Sequence, residues 1–156
     1  MGYVDRNLLP GETVEYRAHL HPVIFLQSAV FGVIGLGFVV YGLASPGLAV
    51  FWVLGAIFLI YAASFGIGRA ILYLSSEFAI TNKRVVIKVG LIHRHTLEML
   101  LTKVETIRVD QGLLARLIGY GTIVLTGTGG TNEPFTSIAN PLEFRKQVQA
   151  RAAGQG

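Results

Sequence analysis

The sequence predicts a membrane α-helical hairpin joined to a mainly-β barrel or roll that a C-terminal helix caps. Three observations predict it. Pro22 to Gly68 is a 47-residue stretch without one Asp, Glu, Lys or Arg, broken near its middle by Ala44-Ser45-Pro46-Gly47. Beyond Ser75 the apolar residues recur at every second position instead of at helical spacing, which marks strands. The chain then closes on Asn140-Pro141-Leu142-Glu143, the pattern of a helix start.

The 156 residues divide into a leader (1–22), a two-helix segment (23–74), a folded domain (75–153) and a tail (154–156). The predicted spans, 23–43 and 48–68, are 21 residues each. At the rise of an α-helix each reaches ~31 Å, matching a ~30 Å hydrocarbon core. Both are apolar all round, whereas a soluble core helix of that length carries a polar face. Residues 69–74 extend the second span into the interface. Gly42-Leu43-Ala44 resembles a signal-peptidase site, but the apolar run is about twice a normal h-region and a second span follows at once.

Orientation follows from the basic residues. Arg6 and Arg17 precede the hairpin, Arg69, Lys83, Arg84 and Lys88 follow it, and the connecting loop has none. Lys and Arg stay on the cytoplasmic side, so both termini are expected inside and the Ser45-Pro46-Gly47 tip outside. Tyr41, Phe51 and Trp52 lie near the outer ends, and Tyr16 and Tyr73 near the inner ends, where interfacial anchors belong.

Each span carries a stripe of small residues: Ser28, Gly32, Gly35 and Gly42 in the first, Gly55, Ala62 and Gly66 in the second. Small residues let helix backbones approach closely, and close packing is a main driver of helix association in lipid. The stripes pack on each other within one antiparallel hairpin or form a seam between copies of the chain. Tyr61 and Ser64 are too few hydroxyls to line a pore.

In the domain, Glu77 to Thr81 and Arg84 to Val89 read as strands around a Thr81-Asn82-Lys83 turn, with Val85, Ile87 and Val89 on one face and Arg84 and Lys88 on the other. Ile92 to Leu97 continues as a third strand, and Thr106 to Asp110 as a fourth. Gly112 to Ile118 reads as a short helical or irregular connection, Tyr120 to Thr126 as a strand, Gly127 to Asn132 as a turn, and Pro134 to Ile138 as a last strand. The leader segment Thr13 to Leu20 can add an edge strand. In the C-terminal helix Asn140 stands at N-cap, Pro141 at N1 and Glu143 at N3. Its apolar face, Leu142 to Val148, is expected to dock on the sheet, with the helix ending near Ala152.

These segments carry a resemblance. Glu77-Phe78-Ala79-Ile80-Thr81-Asn82-Lys83-Arg84, with a strand ending at Gly90, resembles the opening of the bacterial pleckstrin-homology-like family once called the membrane-flanked domain. Ile107-Arg108-Val109-Asp110-Gln111-Gly112-Leu113-Leu114-Ala115-Arg116-Leu117-Ile118-Gly119-Tyr120-Gly121-Thr122 is similar to its middle, and Ile138-Ala139-Asn140-Pro141 with Phe144-Arg145 to its end. Leu8-Leu9-Pro10-Gly11-Glu12 and His21-Pro22 resemble its lead-in. The resemblance implies a PH-like split barrel on a two-helix inner-membrane hairpin, and it implies no catalytic residues.

Candidate sites come from the residues. Lys83, Arg84 and Lys88 form a basic cluster, extended by Arg94, Lys103, Arg108 and Arg116, in a segment with ten basic and six acidic residues from Ser75 onward. Such a cluster either attracts anionic lipid headgroups or is a solvated face that a covalent tether already holds near lipid. His93 with His95, and His19 with His21, have ligand-like spacing, but no carboxylate or cysteine completes a metal set. Gly127-Thr128-Gly129-Gly130-Thr131 lacks the helix that a phosphate-cradling loop opens into. Cysteine is absent, and no catalytic motif stands out. The basic excess follows from membrane topology, and no aromatic platform for nucleic acid accompanies it. The sequence therefore points to a non-catalytic, cofactor-free interaction module at the bilayer, serving a protein partner or self-assembly. Anionic-lipid sensing, or an oligomer for lipid handling or ion passage, is the alternative.

Overall fold

The computed structural model describes residues 2–45, 48–91, 94–130 and 132–154. Its contacts divide the chain into two units, Met1–His21 with Ser75–Gly156, and Pro22–Leu74.

The second unit is a helix pair. A 3-10 turn, Pro22–Phe25, leads into α2 (Leu26–Ala44), and α3 spans Ala49–Ser75. α1 is a short leader helix, Tyr3–Arg6. Both long helices are apolar enough to cross a membrane, and only 6% of the most apolar window of each is buried. Their outer faces expose Val33, Val40, Ile60 and Ile67. The span expected at 23–43 covers most of the 3-10 turn and of α2, the span expected at 48–68 begins one residue before α3, and α3 runs through Arg69 without a break. The Pro46-Gly47 tip lies outside the described residues. Phe31, Phe38 and Tyr41 of α2 interleave with Phe51, Phe58 and Tyr61 of α3, at ring separations of 4.6–6.2 Å. Ser28 and Ser64 donate their hydroxyls to Phe25 and Ile60 carbonyls in their own helices, so neither is left seeking water.

The first unit holds two antiparallel sheets. One has the order β1 (Val14–Ala18), β2 (Glu77–Thr81), β3 (Arg84–Val89), β4 (His95–Leu100); the other has β5 (Val104–Asp110), β6 (Tyr120–Gly127), β7 (Asn132–Ala139). α4 (Leu113–Ile118) joins β5 to β6, and α5 (Pro141–Ala153) follows β7. The core between the sheets is Phe78, Ile80, Val85, Ile87, Leu101, Ile123, Leu125 and Ile138, closed by Phe144 and Val148 of α5. Phe78 meets Phe135 edge-on across it, at 6.1 Å.

The leader belongs to this unit. β1 pairs with β2, and then Leu20 bridges to Ile138 of the other sheet. A bulge in β7 carries Ser137 at φ 59°, and its carbonyl accepts the His21 N–H at 2.7 Å.

Four local expectations are corrected. The third strand starts at His95 instead of Ile92, because its register pairs His95 with Val89 and Leu100 with Arg84 along the whole of β3. Ile92 lies outside the described residues. Asn140 stands at N-cap with φ 48° and no side-chain cap, so its left-handed backbone, and not its carboxamide, suits it to the position. Glu143 accepts from Gln147 instead of completing a capping box. Leu142 is about half exposed, and α5 docks through Phe144 and Val148, one turn apart. Tyr16 is a strand residue packed edge-on against Phe144 at 6.3 Å. Tyr73 stays on α3, beside Phe25.

Candidate functional site

The best-built polar site is the clasp that holds the leader to the sheet. β2 and β3 are buried on both faces, whereas the sequence suggests one apolar and one basic face. The second face is covered by the leader: Val4 packs on Ala79 and Val86, flanked by Tyr3, Leu8 and Val14. The Glu77 carboxylate accepts the Tyr3 and Val4 N–H groups at 2.7 and 3.1 Å, placing an anion at the α1 N-terminus. A Cβ at Gly2 would sit 2.5 Å from Glu77 Oε2, so a larger residue there would push the carboxylate aside.

Glu12 is the centre of the clasp, its side chain fully out of solvent. Oε1 accepts from Arg84 Nε at 2.9 Å and from the Thr81 hydroxyl at 2.7 Å, and Oε2 accepts from the Leu9 N–H and a second Arg84 nitrogen. Arg84 also reaches Glu98 on β4 and the Asn7 carbonyl. Burial pushes the Glu12 carboxyl upward, but the bonds from Arg84, Leu9 and Thr81 outweigh it and hold the carboxyl below its ordinary value. The hydrogen bond to Glu12 raises Arg84 in turn. Asp5, paired with Arg17 and bonded to the Gly2 N–H, is also lowered.

The sign of the pH dependence follows. A carboxyl depressed in the folded state contributes stability that is complete above its ordinary value and is lost as pH falls through the folded one. The hold of Glu12 on the leader therefore begins to weaken as pH falls below 4.5, and that of Asp5 below 3.8, and each is lost only as pH falls through its lower folded value. In hydrogen exchange corrected for intrinsic rates, β1 amides should lose protection on acidification before those of β6. Simultaneous loss in both strands would refute a leader that detaches on its own.

The structure brings Lys83, Arg84 and Lys88 onto neighbouring positions but does not present them as three free cations. Arg84 is held in the clasp. Lys88 is 8% exposed, with its ammonium 5.5 Å from the Tyr3 ring centre and its backbone opposite Glu77. Lys83 is near the surface and donates to the Pro10 carbonyl at 2.9 Å. The small-residue stripe is brought together in full. Gly32 faces Ala62, Gly66 faces Ser28, Gly35 faces Leu59, Gly42 faces Phe51 and Trp52, and Gly55 faces Val39 and the Gly35 carbonyl. All seven residues line the contact between α2 and α3 of one chain.

The histidines separate. His95 contacts Glu133 at 3.1 Å, His21 stacks on Tyr120 at 5.5 Å, and His93 lies outside the described residues. Among the described residues, no three His, Asp or Glu side chains converge as a metal set. The glycine-rich segment is the β6–β7 hairpin turn, in which the Gly130 N–H donates to the Gly127 carbonyl; Thr131 lies outside the described residues.

The family model described as a bacterial PH domain matches residues 26–152. The chain belongs to that family. Neither a curated protein nor a solved structure gave a match. PH-like domains are generally interaction modules without catalysis. The match begins after the leader, yet the leader supplies β1 and Glu12 to this PH domain. Glu12, Glu77 and Tyr3 are the working residues that sequence reasoning passes over. The available signal was an acid, Glu12, directly after Leu8-Leu9-Pro10-Gly11.

Proposed function

We propose that this chain is an integral protein of the bacterial inner membrane that presents its PH domain at the cytoplasmic face as a non-catalytic scaffold for a protein partner or for copies of itself. One observation carries the reading. The PH unit is assembled from chain on both sides of the apolar helix pair, with β1 from before it hydrogen-bonded to β2 from after it. Both ends of the pair must then emerge on one side of a bilayer, as two spans allow and one span does not. The concentration of basic residues in those same flanks favours the cytoplasmic side.

Engagement of Arg84 and Lys88 by the leader weighs against a headgroup patch at that cluster, and the inward-facing stripe weighs against a pore seam. The module's work is then contact with another protein. Native mass spectrometry of the full-length chain, released gently from its own membrane, tests this. A fixed-ratio complex, with a foreign protein or with copies of the chain, is the expected result. A chain that emerges only as a monomer, or one that turns over a substrate unaided, would overturn the proposal.

A further inference from the structure

α4 turns its apolar residues outward. Leu113 is 90% exposed, Leu114 72%, Leu117 84% and Ile118 51%, while only Ala115 is buried against the barrel. Single exposed leucines are ordinary, but four large aliphatics within six residues form a patch with an expected partner. The helix is held rigidly: Gly112 precedes it in extended conformation, and Gly119 ends it at φ 90° with its N–H on the Ala115 carbonyl. The Asn140 N–H then bonds the Gly119 carbonyl, tying the end of α4 to the start of α5. The one charged side chain on α4 is Arg116.

Its place in the PH unit indicates what covers it. Tyr120, the residue after Gly119, stacks on His21, and His21 is also bonded to Ser137 beside the Leu20–Ile138 bridge. His21 is the last residue before the 3-10 turn that opens the first apolar helix. The aliphatic patch therefore flanks the point at which the chain leaves this unit for its membrane anchor.

We propose that α4 is a bilayer wedge: Leu113, Leu114, Leu117 and Ile118 insert at the boundary of headgroups and acyl chains, with Arg116 reaching back to the phosphates. The proposal rests on the membrane reading above. Its chemistry is that of interfacial helices, in which aliphatic side chains enter the outer acyl region and long basic ones keep their charge at the headgroups. The tether makes insertion intramolecular, so four aliphatics suffice where a free helix would need more. The wedge would fix the orientation of the PH domain on the membrane and so decide which face meets a partner.

Because the chain has no cysteine, single-cysteine variants report without background. Leu117→Cys, Ile60→Cys and Thr128→Cys would each be labelled with an environment-sensitive fluorophore in the full-length protein, in vesicles of phosphatidylethanolamine and phosphatidylglycerol. Ile60 is 67% exposed on α3 and reports the anchor. Thr128 lies in the exposed β6–β7 turn and reports water. A blue-shifted emission at Leu117 relative to Thr128, quenched best by lipids spin-labelled near the headgroup, is expected, with Ile60 quenched best by deep labels. If Ile60 is deep but Leu117 matches Thr128, the wedge is overturned and the anchor stands. If Ile60 also matches Thr128, the membrane reading fails and the wedge with it. Shielding of Leu117 in native membranes but not in pure lipid would assign the patch to a protein partner and overturn the lipid assignment.

Discussion

Arg84→Ala is expected to release the leader from the sheet, at a cost of about 3 kcal/mol. The loss exceeds that of a surface ion pair because Glu12 has no solvent-exposed side-chain surface. Without Arg84, its carboxylate keeps only the neutral Thr81 hydroxyl and Leu9 N–H, and Glu98 and the Asn7 carbonyl lose a donor as well. A buried charge without its counter-charge is the expensive case, whereas removing both charges together is often mild. Glu12→Gln added to Arg84→Ala should therefore restore part of the loss. Arg84→Lys should not, because one ammonium cannot reproduce the two-nitrogen contact with Glu12 and still span to Glu98. Hydrogen exchange on the full-length chain in lipid measures it: β1 amides should open roughly a hundredfold more often, with β6 changing far less. Unaltered protection in β1 would mean that the apolar contacts of Val4 and Leu8 hold the leader by themselves.

The residues of this clasp show why part of the molecule was legible in the sequence and part was not. β2 and β3 fall on the predicted residues because their alternation is local and only Asn82 and Lys83 separate them. The apolar helices were equally plain, since length and absence of charge suffice. Arg84 was legible as a cation in a basic cluster, but the acid that neutralises it stands 72 positions earlier, beyond the reach of any periodicity. Lys88 likewise looks solvent-facing until α1 covers that face. The third strand was placed too early because Leu91 and Ile92 read as alternation in sequence, whereas the chain turns at Gly90, which takes φ 86°, and the pairing with β3 begins at His95. The α4 leucines were visible as residues, but that they point away from the barrel is a property of the fold alone.

The largest effect in the helix pair is expected from Gly55→Leu. A Cβ at Gly55 would lie 2.7 Å from Val39 Cγ2 and 3.2 Å from both the Gly35 carbonyl oxygen and the Val39 nitrogen. The side-chain methyl can move aside, but the two backbone atoms yield only if the helices separate. The site is reciprocal, since a Cβ at Gly35 would stand 3.1 Å from the Leu59 nitrogen. In lipid no hydrophobic force restores the contact, so a separation near 1 Å forfeits a quarter to half of each dispersion well along the seam. Overpacking of this kind costs about 1–3 kcal/mol. Gly37→Leu is the matched control, because nothing lies within 4 Å of its Cβ position. The readout is a disulfide between Gly32→Cys and Ala62→Cys, whose Cβ atoms would be 3.9 Å apart, inside the range of about 3.5–4.5 Å that the bond requires. Oxidation should cross-link the otherwise native chain, leave the control unaffected, and fail with Gly55→Leu present. The species formed also separates the two uses of the stripe. A faster-migrating monomer on a non-reducing gel places the seam inside one hairpin, and a covalent dimer places it between copies, in which case the pairs that close within one chain here would form between two.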